Sequence, residues 1–256
     1  MTAGIVPGPL IAALHFSAGF AGFATLVCVV VALSGNRIRG IWWLAAMCAS
    51  SVGAQLAGAI FHLAPDIVAA ADAQRHHTAW ALGQFYALAG FIAVYTRQSH
   101  QRTFLLIMGA FFAVMLFLTF RMPLGSRFVG EYHSLILEFP WGERLQMLRG
   151  ELSSANLVGR FGFFSIFIWG IYRAALVYSK EDRTGAIVLS SGLVILILSI
   201  AGGGLLEAGK IDFIYFGGFG YIFLVLLALS LVFRELVAGN ERVVRSAAAL
   251  QRELDS

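Results

Sequence analysis

The sequence predicts an all-α integral membrane protein, a seven-transmembrane helix bundle with its N-terminus outside and its C-terminus inside. Three observations predict it. Of 256 residues, 59% are hydrophobic and only 12% charged, and the mean hydropathy is +0.81. A soluble domain carries roughly 25% charged residues, because so much of a chain this size must face water. Seven apolar runs, each near the roughly 20 residues that cross a bilayer, follow one another along the chain. The breaks between them are polar and mostly short. Twenty-eight glycines and five prolines suit closely packed transmembrane helices.

The first span is expected over 9–34. No Lys or Arg precedes it and there is no A-x-A cleavage pattern, so it reads as a retained span and not as a secretory signal peptide. The break GNRIRG leads to the second span, 41–64. Cys28 and Cys48 lie inside these two runs and read as small buried hydrophobes. DAQRHH is read as the break before a third span at 79–96, and RQSHQR as the break before a fourth at 103–120. The segment 121–154 is long. Phe128, Glu131, Tyr132, Ile136 and Glu138 mix there with Gly and Pro. It reads as a small β-hairpin, or as an extended cap followed by a short amphipathic helix near 143–152. Such a loop either contacts ligand or simply seals the bundle.

Spans five to seven are expected at 155–178, 185–206 and 213–233, separated by SKEDRT and EAGKID. Gly202–Gly203–Gly204 and Gly217–Gly218 are read as sites of close helix packing in preference to helix breaks. These spans and loops form a sensor domain, 1–235. Residues 236–256 form a cytoplasmic signalling helix. There Leu236, Val243 and Leu250 repeat every seven residues, with Asn240, Ala247 and Leu254 beside them. That seam favours a coiled coil and hence a homodimer. The competing reading is an amphipathic helix on the anionic inner leaflet.

Charge sets the direction. With the N-terminus outside, 11 Lys and Arg lie inside and 7 outside, the latter among eight acids. Ionisable or polar groups within spans are functional candidates. His15, Gln55, His62, Gln84, Arg160 and Glu207 all fall toward the outer side, where Trp141 of the long loop would cover them. Together they suggest a ligand-binding pocket in the outer half. Alternatively, Arg160 pairs with Glu207 and the histidines satisfy backbone carbonyls. His15 and His62 could also ligate haem or a metal in a redox membrane protein. The primary reading assigns no cofactor, no nucleic-acid partner and no catalytic residue.

Other chemistries are tested by absence. The last span has no Lys for retinal. Gly58 stands where seven-span zinc hydrolases of the alkaline ceramidase type need a Ser before His62, and the last span has no His. G-x-S-x-G and P-loop patterns are absent. A small-solute transporter would usually carry midplane carboxylates, and the midplane here is apolar.

Three stretches carry a family resemblance: VYTRQ after span three, FPWGERL in the long loop, and GGFGYIFLVLLALSLVFREL running into a charged helix. With these the chain resembles the N-terminal seven-transmembrane sensory modules of bacterial histidine kinases, diguanylate cyclases and PAS-containing signalling proteins. The resemblance covers most of the chain. It implies residence in the bacterial cytoplasmic (inner) membrane, a small or lipophilic ligand, and a kinase or cyclase output domain or partner in the cytoplasm. No output domain precedes Ser256. The expectation is therefore either the sensor portion of a larger receptor or a module that signals to a partner.

Overall fold

A computed structural model describes residues 8–34, 38–178, 183–207 and 219–254. These form helices α1 (Pro9–Leu33), α2 (Ile41–His62), α3 (Ile67–Tyr95) and α4 (Gln101–Arg121), strands β1 (Pro123–Ser126), β2 (Phe128–Glu138) and β3 (Arg144–Leu152), then helices α5 (Ser154–Tyr178), α6 (Arg183–Glu207) and α7 (Phe219–Leu254). Six helices, α1 to α6, are long and apolar enough to cross a membrane. Much of the apolar surface they present is outward, including Phe16, Phe23 and Leu26 on α1 and Leu106, Ile107 and Phe117 on α4. A water-soluble monomer rarely exposes such contiguous apolar faces; hydrocarbon solvates them.

The helices pack as neighbours in chain order, α1 on α2, α2 on α3, α5 on α6 and α6 on α7, and α7 returns against α1. The tightest seam joins α2 and α3, which run antiparallel. A Cβ on Gly53 would lie 2.2 Å from the Trp80 indole, and one on Gly90 would lie 2.4 Å from that of Trp43. Each helix thus sets a Trp into a notch on the other, and the two notches lie about three turns apart. Between them Gln84 Nε2 donates to Ser51 Oγ at 2.8 Å, and Ser51 Oγ donates to Met47 O at 3.0 Å. Cys28 and Cys48 are fully buried free thiols in the main core, as their apolar settings predict.

Two expectations need correction. DAQRHH is not a break: α3 starts at Ile67 and runs through it. Pro65 lies in the bend between α2 and α3, and the Asp66 carboxylate accepts from Val68 N and Ala69 N at 2.9 and 2.8 Å, capping the new helix. The 29 residues of α3 span roughly 43 Å at 1.5 Å each, beyond the ~30 Å hydrocarbon layer. Hydropathy marks only the apolar part of the helix. Residues 144–152 are not an amphipathic helix either, because they pair as β3 with β2 in an antiparallel hairpin.

Helix α6 runs unbroken through Gly202–Gly203–Gly204, yet a Cβ on Gly202 would meet nothing within 4 Å. Among the described residues, then, nothing packs closely on Gly202. Of the expected features, most of the breaks SKEDRT and EAGKID, the start of GNRIRG and 213–218, with Gly217–Gly218, lie outside the described residues, as do the side chains of Glu207, Val243 and Leu250.

Candidate functional site

At one end of the bundle the β2–β3 hairpin covers the start of α1, the end of α2 and the start of α3. The turn of FPWGE explains its shape. Gly142 N donates to Phe139 O at 2.8 Å and Phe139 N donates to Glu143 O at 2.9 Å. Pro140 follows the first turn residue, where its fixed φ is preset, and Gly142 takes φ +86°, a left-handed value that favours glycine. Trp141 stacks on Phe139 with ring centroids 5.0 Å apart.

This turn delivers Glu143 to the first turn of α1. The helix begins Gly8–Pro9–Leu10 and has no side-chain cap of its own, so its first N–H groups need acceptors from elsewhere. Glu143 supplies them. Its Oε1 accepts from Gly8 N at 3.0 Å and Ile11 N at 3.1 Å, and its Oε2 accepts from Leu10 N at 3.0 Å and Trp141 Nε1 at 2.8 Å. The carboxylate is 1% exposed and sits at the positive end of the helix dipole. Hydrogen bonds to a charged group are worth about 1.5–3 kcal/mol each, and they do not simply add. Leu145 beside it packs among Leu10, Ile11, Leu14 and Ala59.

A second fastening lies at the end of α2. The His62 ring is buried, and its Nδ1–H donates to Gln146 O of β3 at 2.9 Å. Phe128 and Leu148 pack with Phe61, Ala64, Ala70 and Ala73. At the far end of the hairpin Ser153 Oγ donates to Ser126 O and accepts from Asn156 N at 3.0 Å. It thereby caps α5 while tying it to β1.

The expected site residues divide accordingly. His62, Gln55 and Gln84 are buried on the facing helices α2 and α3. Gln84 Oε1 accepts no hydrogen bond, which leaves one buried polar acceptor unsatisfied in an otherwise apolar seam. Trp141 belongs to the turn and fixes Glu143. Arg160 is half-buried on α5, and its suggested pairing with Glu207 lies outside the described residues. His15 does not join the others: it is exposed on α1, and its Nδ1–H donates to Ile11 O of its own helix at 2.8 Å. His15 and His62 therefore do not face one another across a common space. Among the described residues no group of three or more His, Cys, Asp and Glu could hold a metal ion.

Glu143 and Gln146 were not among the residues singled out by sequence. The available signal was the uncapped Gly-Pro-Leu start of α1, which implies a distant acceptor, together with the acid that closes FPWGE. Neither protein-family models nor curated proteins match the chain.

Proposed function

We propose that this chain is the membrane-embedded input part of a bacterial signal-transduction receptor. It spans the inner membrane seven times, N-terminus outside and C-terminus inside, and is not itself catalytic. A small or lipophilic ligand acts at the hairpin end, among Gln55, His62 and Gln84 beneath Trp141 and Glu143. The output is a kinase or cyclase domain or partner in the cytoplasm, engaged by a homodimer of the α7 tail.

The observation that carries this reading is the continuity of α7. Its 36 residues span roughly 54 Å at 1.5 Å each, well beyond a ~30 Å hydrocarbon layer. One rod thus joins the bundle to the polar tail without a hinge. Leu236, at the exit, still packs against the main core, so a shift among the helices moves the rod. Signalling then needs two packings of similar energy that bind the ligand unequally. The two fastenings of the hairpin, Glu143 to α1 and His62 to β3, are local contacts whose loss would separate such packings.

The test places cysteines at Val243 and Leu250 in membranes and measures disulfide crosslinking while small and lipophilic compounds are screened by thermal shift. Crosslinks between copies that change with a stabilising compound are expected. A tail that never crosslinks, with no compound altering stability, would sink the reading.

A further inference from the structure

The end of the bundle opposite the hairpin holds a cavity of about 280 Å³ between the α3–α4 turn and the last turns of α5. We propose that it binds a phosphate-bearing anion, and that an acidic phospholipid headgroup is the form that fills it. The inference rests on the membrane placement of the bundle and not on the sensory reading.

Charge is the first argument. Thr96, Arg97, Ser99 and Arg173 supply the polar lining, and among the described residues no acid lines the cavity. The Arg173 guanidinium gives two of its N–H groups to Thr96, from Nε to Oγ1 at 3.2 Å and from Nη2 to the carbonyl at 2.7 Å. These bonds hold the planar fork at the end of α3. A guanidinium has five N–H donors, and among the described residues Arg173 gives the other three to no protein acceptor. An anchored fork with donors to spare suits a phosphate.

Position is the second argument. Ser99 stands two residues before α4, whose cap residue His100 makes no side-chain capping bond. The cavity therefore lies at the turn that leads into α4, the end at which a helix dipole favours an anion.

Shape is the third. Leu176 and Val177, one turn beyond Arg173 on the same face of α5, supply the apolar part of the lining, which matches the junction of a headgroup with its acyl chains. The volume falls below the roughly 300–1,000 Å³ of sites for drug-sized ligands. Arg39, Arg102 and Arg183 mark the same end of the bundle, the end that the positive-inside rule turns toward the anionic leaflet.

The test is native mass spectrometry of the full chain in detergent. Phosphatidylglycerol is titrated against phosphatidylcholine, and inorganic phosphate is then added as a competitor. Expected is selective retention of phosphatidylglycerol, weakened about tenfold or more by Arg173→Gln, the value of a hydrogen bond to a charged group. Arg183→Gln, an exposed charge at the same end but outside the cavity, is expected to leave retention unchanged. Val177→Trp fills the cavity from the apolar wall and spares the Arg173–Thr96 bonds. It is expected to abolish retention even if Arg173→Gln fails to fold. Displacement by inorganic phosphate at millimolar concentration would support the anion site with a soluble source. Equal retention of both lipids without phosphate binding, or equal losses in Arg173→Gln and Arg183→Gln, would overturn it.

Discussion

Replacing Glu143 by Gln keeps the shape of the side chain and one acceptor, but it sets an NH2 group among four N–H donors. The expected loss of stability is about 1–3 kcal/mol, read as a lower Tm in detergent. Faster hydrogen exchange at the Leu10 and Ile11 amides should accompany it and locate the damage at α1. At Gly90 the expected cause is steric. Gly90→Ala would drive a Cβ into the Trp43 ring at about 1–3 kcal/mol, and pairing it with Trp43→Leu should recover part of that loss in a double-mutant cycle. At this scale the sequence was legible where polarity was out of place. His62, Gln55 and Gln84 stand out inside apolar runs, and all three are buried. Glu143 was not legible, because an acid in a turn looks solvated until its distant partner is known. His15 fits the alternative reading instead: a polar residue in an apolar run can bond a carbonyl of its own helix and face outward.

Elements were read well where lipid sets the pattern and poorly where it does not. The apolar runs of α1, α2, α4, α5 and α6 match the helices within a few residues, since each apolar stretch must satisfy its own backbone by forming a helix. The start of α3 was missed because its first turns rise above the apolar layer, where charge is no obstacle to a helix. The hairpin was one of two alternatives, and Pro140 with Gly142 decides between them. For α7, the prediction concerns stiffness. Ala238→Pro should cost about 3 kcal/mol locally. It should remove exchange protection from the amides of 240–254, leave the Tm of the bundle nearly unchanged, and abolish any ligand-dependent change in crosslinking at Leu250.

For the whole molecule, the orientation rests on the distribution of arginines and is open to direct labelling. A cysteine at Ser134, exposed on β2, is expected to react with an impermeant maleimide in intact cells. One at Asn240, exposed on α7, should react only after the membrane is opened; the reverse pattern would invert the topology. A consequence of the Glu143 contact concerns the order of synthesis. Gly8 and Glu143 are separated by 135 positions, so the start of α1 waits for the turn of the hairpin to be made. At about 5–20 residues per second that delay is roughly 7–27 s, during which α2, α3 and α4 must all be inserted. A cysteine at Leu10 should therefore stay reactive in nascent chains stalled before Glu143 and become protected in longer ones. The start of α1 would then serve as a built-in clock for assembly of α1 to α4.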